Sequence, residues 1–376
     1  MNMQFRDLQK QYQVLKPQID EAVTKVMTDC NFISGAQVKA LEAKLAEYVG
    51  VKHCITCANG TDALKLAEMA YHIGPGDAVF VPDFTFFSTA ETVADLGATN
   101  IFVDVDEITF NMSPAALENA ILRVKKEGKL EPKAVVAVDL FGLPADYPAI
   151  SAIAEKYGLI LIEDGAQGFG GRIGETKACA FGQIATTSFF PAKPLGCYGD
   201  GGAIFTNDDA VAAQIRSLCV HGKSGNDKYN NIQIGMNSRL DTIQAAILDV
   251  KLDAFAGYEL DGVNRAAAAY DRYLAGKVKT PVVPEGYYSS WAQYTIQLPS
   301  REKRDAMQAA LKEKGIPTMV YYPRCMHEQG AFEALPYNGE CPVAERLTGT
   351  VLSLPMHPYL EEAQVKFICE NVLALL

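Results

Sequence analysis

No stretch of this 376-residue chain approaches the 18 consecutive apolar residues that a membrane-spanning helix needs, so such a helix is excluded. Basic residues are also scarce: 34 Lys and Arg face 45 Asp and Glu, a net charge of −11. A chain this acidic repels phosphodiester backbones in bulk, which argues against a nucleic-acid partner. A local basic pocket for one phosphorylated metabolite stays compatible with it. The opening Met1–Asp7 lacks the apolar run of a secretory signal, and a cytoplasmic location is expected. Internal repeats and low-complexity tracts are absent. Only five histidines occur, with no ligand spacing, and no metal site is expected.

Nine cysteines are scattered along the chain, an odd number that reads as reduced thiols rather than bridges. Cys54-Ile55-Thr56-Cys57 matches C-x-x-C, but no second pair completes a zinc site. The pair also lies in a strand-like run, where thiols three residues apart point to opposite faces.

What is present is alternation. Between residues 50 and 206, β-prone runs alternate with helical stretches. Seven strands are predicted: Cys54–Cys57, Ala78–Val81, Asn100–Val103, Ala134–Val138, Leu159–Ile162, Thr186–Phe190 and Gly202–Thr206. Helices are predicted over Thr61–Tyr71, Ser88–Leu96, Pro114–Leu122, Tyr147–Tyr157 and Asp209–Cys219. Runs such as Leu159–Ile162 are apolar throughout, as strands buried on both faces are. The pattern predicts an α/β domain with a mainly parallel seven-stranded sheet, and ligands beyond the carboxyl ends of its strands. Residues 237–275 read as long helix. A strand over Gln293–Leu298, a helix over Glu302–Lys314, a second strand over Thr318–Tyr322 and a final helix over Glu361–Leu375 suggest a smaller C-terminal α+β lobe. The expected division is 1–250 and 251–376.

Three segments fall at predicted strand ends. Asn59-Gly60-Thr61-Asp62 opens a helix, and its first N–H groups with the Thr61 hydroxyl make either a phosphate cradle or an ordinary cap. Glu163-Asp164-Gly165 puts two carboxylates after an apolar strand, where one needs a cation, a metal or a cap. Ser188-Phe189-Phe190-Pro191-Ala192-Lys193-Pro194 sets a lysine in a proline-stiffened loop with four glycines close behind. A partly desolvated lysine is a competent amine nucleophile toward carbonyls. Together, a phosphate cradle, a carboxylate and an activated lysine are the requirements of pyridoxal phosphate.

These motifs, with Phe32-Ile33-Ser34-Gly35 near the start and Leu354-Pro355-Met356-His357-Pro358 near the end, resemble those of the DegT/StrS-type sugar aminotransferases. The resemblance runs over essentially the whole chain. It implies the fold of aspartate aminotransferase (fold type I) and the cofactor pyridoxal 5'-phosphate. It further implies Lys193 as the Schiff-base lysine and Asp164 as partner of the pyridinium nitrogen. Gln167 would sit beside the phenolic oxygen, and Gly60, Thr61 and Ser188 would hold the phosphate. Phe86 would stack on the ring. Asn237 would reach the phosphate of the neighbouring subunit, which implies a homodimer with shared sites. Gly165 in place of the commoner alanine, and Pro194 where asparagine is frequent, depart from the pattern without removing a chemical group.

Within the family, Gly235-Met236-Asn237-Ser238-Arg239-Leu240-Asp241 is similar to members that aminate 3-keto nucleotide sugars, UDP-2-acetamido-2-deoxy-3-oxo-glucuronate foremost. Glutamate as amino donor and a place in bacterial surface-polysaccharide synthesis, such as lipopolysaccharide O-antigen, follow from the resemblance. Arg239 then either clamps the sugar carboxylate or makes an ion pair at the dimer interface. Tyr322 either contacts the sugar or packs. His221 and His327 are candidates for neighbours of the site, and Gly222–Lys228 reads as a loop that either closes over substrate or only connects. A 4-keto or dTDP-linked sugar is the alternative substrate. A dehydratase of the family would carry histidine in place of Lys193, and a non-catalytic regulator would have an impaired constellation.

Overall fold

The computed structural model describes residues 3–225, 229–335 and 340–376. Two helices, α1 (Leu8–Asp29) and α2 (Ala36–Val49), precede the alternating region. That region runs β1 (His53–Cys57), α3 (Gly60–Ala70), β2 (Asp77–Pro82), α4 (Ser88–Asp95), β3 (Thr99–Val103), α5 (Pro114–Glu127), β4 (Glu131–Val138), α6 (Tyr147–Tyr157) and β5 (Ile160–Asp164). Two short strands, β6 (Arg172–Ile173) and β7 (Thr176–Lys177), come before β8 (Ile184–Ser188), β9 (Gly202–Thr206) and α7 (Asp209–Leu218). All seven predicted strands are present and form one sheet, in the order β1-β9-β8-β5-β4-β2-β3. The pairs from β3 through β8 are parallel, while β9 runs antiparallel to both β8 and β1.

Local chemistry sets the helix ends. Ser113 caps α5 before Pro114, and Gly128 closes it at φ +62°. Asp146 and Gly158 do the same for α6. The sheet is dry on both sides: Val136 and Ile162 pack with α3 and α4, and Val135 and Leu161 with α5 and α6. Cys54 and Cys57 fall in different core clusters on opposite faces of β1, and every cysteine is a free thiol.

After α7 the structure differs from the long helix read over 237–275. Residues 237–241 are extended, with Asn237 bridged to Val220 and Asp241 to Ile33, and α8 (Thr242–Ala254) starts only afterwards. It passes through a π turn at Phe255–Glu259 into α9 (Leu260–Leu274), so helix spans position 250. A short strand, β10 (Tyr287–Tyr288), pairs with β6. In the C-terminal part, β11 (Tyr294–Gln297), α10 (Arg301–Glu313), β12 (Val351–Leu354) and α12 (Glu362–Leu373) surround a second core, while α11 (Pro342–Thr350) packs Ala344 and Leu347 into the core of the large sheet. β11 pairs with β12, and the strand expected over 318–322 does not form. That segment makes a single bridge, Met319 to Ser353. Pro317 and Pro323 remove N–H donors on either side of it, and Tyr322 turns toward the large sheet instead. Of the loop expected at Gly222–Lys228, Lys223 bridges Asn231, and residues 226–228 lie outside the described residues.

One core group carries a pH signature. Glu68 on α3 is fully buried, with the Thr92 hydroxyl 2.9 Å from Oε1, and burial raises its pKa to about 8. The folded chain therefore keeps a proton that the unfolded chain releases above its ordinary value of 4.5. Stability contributed by that proton is complete below 4.5 and is lost as pH rises toward 8, by about 1.4 kcal/mol per pH unit at most. Glu68→Gln should raise the urea midpoint relative to the unmodified protein at pH 8 and change it little at pH 4.5. Equal differences at both pH values would contradict the assignment.

Candidate active site

The carboxyl ends of β5 and β8 lie side by side, and the start of α3 packs against the end of β8. A Cβ on Gly60 would sit 2.6 Å from the Cβ of Ser188, so only glycine lets the helix come this close. The Asn59 side chain accepts from the Asp62 N–H at 2.8 Å, and the N–H groups of the first turn have no partner within the helix. Gly60, Thr61 and Ser188 thus converge as one N–H and hydroxyl cradle. The hydroxyl of Thr61 is 2.7 Å from that of Ser88, in the first turn of α4.

The same turn reaches the carboxylate. Thr89 donates to Oδ2 of Asp164 at 2.9 Å, and Ala166 N–H donates to its Oδ1 at 3.2 Å. Burial raises the Asp164 pKa; these two donors and the Lys193 charge oppose the rise. Glu163, one residue earlier, faces the other way: its oxygens accept the N–H groups of Cys179 and Phe181. Of the two carboxylates, only Asp164 serves the site. Gly165 is also explained, because a Cβ there would lie 2.7 Å from the Cys179 Sγ.

Lys193 sits in a tight loop whose N–H groups fold back, Lys193 to the Phe190 carbonyl and Cys197 to that of Phe189, both at 2.8 Å. Its amine is held below the ordinary lysine range by burial first; Asp164 acts against that shift and Arg6 adds to it. Gln167 bridges two elements, accepting the Phe141 N–H at 2.9 Å and donating to the Tyr322 hydroxyl at 3.0 Å. Tyr322, its pKa raised by burial, packs its ring 6.3 Å from Phe86. Phe86 itself is 53% exposed, leaving ring surface uncovered.

Eight of the ten expected residues are therefore linked around one point. Asn237 and Arg239 stand apart: Arg239 donates to the Asn237 side chain, and among the described residues neither bonds to Lys193, Asp164 or Gln167. Their segment is tied to the cradle through Ser238, whose hydroxyl accepts the Ala58 N–H at 3.0 Å. His221 pairs by its backbone with Met236, away from the site. His327 bonds Asp83 at the end of β2, Nδ1 to Oδ2 at 2.6 Å. Asp83, Cys325 and His327 are donor types that could ligate a metal, but this direct contact closes the Asp–His pair. Reading the sequence missed Ser88, Thr89 and Arg6. Hydroxyls in the first turn of a helix at a strand end were the available signal for the first two.

A lysine of lowered basicity facing a buried carboxylate, beside an N–H and hydroxyl cradle on a mainly parallel sheet, fits pyridoxal 5'-phosphate. Fold and site define a fold type I, pyridoxal-phosphate-dependent enzyme. The chain belongs to the DegT/DnrJ/EryC1/StrS aminotransferase family, matching it over residues 13–373. It is 45% identical to a UDP-2-acetamido-2-deoxy-3-oxo-D-glucuronate aminotransferase of Pseudomonas aeruginosa, over 98% of both chains. It is 44% identical to a pleiotropic regulatory protein of Geobacillus stearothermophilus, over 99% of this chain and 98% of that one. The crystal structure of a DegT DnrJ EryC1 StrS aminotransferase from Brucella abortus superposes with a TM-score of 0.95 at 49% identity, covering 98% of each chain. The protein is a pyridoxal-phosphate-dependent nucleotide-sugar aminotransferase.

Thr89→Val removes one donor from the ionised form of Asp164, so its pKa should rise further. The acid limb of the kcat/KM profile should move to higher pH, with activity falling roughly 5- to 100-fold, the equivalent of about 1–3 kcal/mol. An unchanged acid limb would separate Asp164 from the chemistry.

Proposed function

We propose that this enzyme transfers an amino group from L-glutamate to C3 of a UDP-linked 3-keto sugar, UDP-2-acetamido-2-deoxy-3-oxo-glucuronate or a close analogue, in the cytoplasm. The product would serve bacterial surface-polysaccharide synthesis. The pairing of Lys193 with Asp164 carries the reaction type. The substrate rests on likeness to the Pseudomonas aeruginosa relative and on Arg239.

In this reading Gly60, Thr61 and Ser188 hold the phosphate and Phe86 covers the ring face. Bound at Lys193, the cofactor supplies an electron sink for negative charge on the donor's α-carbon. Asp164, oriented by Thr89 and Ala166, keeps a proton on the ring nitrogen. Gln167, fixed between Phe141 and Tyr322, stands beside the phenolic oxygen. Released when the donor's amine takes its place on the cofactor, Lys193 Nζ, its basicity lowered first by burial, would take the donor's α-proton and later return one to the sugar. One site serves both half-reactions in turn, giving ping-pong kinetics. The proposed division into lobes is 1–250 and 251–376, with the second core around β11 and β12.

The proposed unit is a homodimer. Asn237 is exposed and, among the described residues, makes no hydrogen bond to Lys193, Asp164 or Gln167 of its own chain, which suits a residue offered to a partner. Ile232 and Ile234, 65% and 88% exposed nearby, supply apolar surface for such an interface. The name of the Geobacillus stearothermophilus relative favours a regulatory reading, and the complete constellation speaks against it.

Incubation with glutamate and a panel of UDP- and dTDP-linked 3- and 4-keto sugars should yield 2-oxoglutarate and an amino sugar with the UDP-3-keto uronate foremost. Turnover of 4-keto sugars alone would replace this substrate assignment, and none with any sugar would favour regulation. Arg239→Ala should lower kcat/KM at least 10-fold for the acidic sugar and less for neutral ones, on the scale of a lost charge-assisted bond. Equal losses would assign Arg239 to the interface. Mixing inactive Lys193→Ala and Asn237→Ala chains should restore activity, because one site of the mixed dimer is then intact. No restoration would contradict shared sites.

A further inference from the structure

Lys193 and Pro194 present two carbonyls that their own loop leaves without a donor. Pro191 and Pro194 have no N–H, and the N–H groups of Lys193 and Cys197 are committed to Phe190 and Phe189. The loop is already so tight that a Cβ on Gly196 would lie 2.5 Å from the Phe190 carbonyl oxygen. The missing donor comes from the far end of the chain. Arg6 Nη2 donates to the Lys193 carbonyl at 2.7 Å and to the Pro194 carbonyl at 3.2 Å. The N-terminal segment that delivers it is itself fastened, because the Met356 N–H donates to the Phe5 carbonyl and Asp7 caps α1. The Phe5 ring meets Tyr321 edge-on at 6.1 Å, next to Tyr322 of the site.

We propose that Arg6 is a positioning residue for Lys193: by bonding the carbonyls of two successive peptides, Lys193–Pro194 and Pro194–Leu195, it aims the lysine side chain and sets a fixed positive charge near the amine. The proposal rests on the reading of Lys193 as the residue that binds the cofactor. Arginine suits the task, since its guanidinium is rigid, stays charged and tolerates partial burial. Burial lowers its pKa only to about 10, so the charge persists at neutral pH. Glu259 faces it with favourable charge, and Lys251 and His357 sense it as an unfavourable neighbour. Lys193 in turn faces only Asp164 and Arg6 among the charged groups that shift it.

Arg6→Met and Arg6→Lys separate aim from charge. In the loaded enzyme, the pH at which the visible absorbance changes should rise by about one unit in Arg6→Met, because a repelling charge beside the protonated nitrogen is gone. Arg6→Lys should leave that pH near its original value, and its kcat should fall roughly 10-fold through lost aim. In the apoenzyme, Arg6→Met should slow the labelling of Lys193 by trinitrobenzenesulfonate, with Lys193→Ala as the blank. An unmodified protein without visible absorbance overturns the reading of Lys193, and this role with it. An unmodified protein with normal absorbance, and Arg6→Met with the same transition, labelling rate and kcat, overturns the role of Arg6 alone. Should Arg6→Met fail to fold, Arg6→Lys with unchanged kcat overturns the aim.

Discussion

The site depends on keeping a lysine amine and an aspartate carboxylate close together with little water to screen them. Burial penalises the charged form of each, so it lowers the lysine pKa and raises the aspartate pKa, while their attraction opposes both shifts. Both net shifts run toward the neutral form, the direction that suits a lysine that must exchange a proton. Such a pair is costly unless its remaining valences are satisfied. Thr89 and the Ala166 N–H satisfy the carboxylate, and the folded-back loop with Arg6 fixes the lysine.

The sheet makes this arrangement possible. Parallel strands end at one edge, and β5 and β8 are neighbours, so the residue closing β5 and the loop after β8 meet without long connections. Helices α3 and α4 begin at that edge and turn their first-turn donors and hydroxyls toward it. Hydroxyls on one turn of α4 serve both ends of the site, Ser88 toward the cradle and Thr89 toward the carboxylate. The C-terminal part adds Tyr322, which packs against the core of the large sheet and accepts from Gln167.

Much of this was legible before any coordinates. The seven strands and the three strand-end motifs are local signals, carried by apolar runs and by glycine and proline. The failures share one cause. Segment 318–322 looks like a strand by composition, yet the partner of β11 came from residues 351–354, whose place no local pattern announces. The extended path of 237–241 is imposed by bridges to Val220 and Ile33, each far from it in sequence or on another element.

By itself, the order of residues determined that a mainly parallel sheet would form and that Lys193, Asp164 and the Gly60–Thr61 turn would stand at its strand ends, because periodicity and capping act over a few residues. Tertiary structure alone decided that Asp164 rather than Glu163 faces Lys193, that Thr89 supports it, and that Arg6 reaches across half of the chain to hold the lysine loop. Those outcomes depend on burial and on hydrogen bonds between residues as many as 187 positions apart, a distance over which no local pattern carries information.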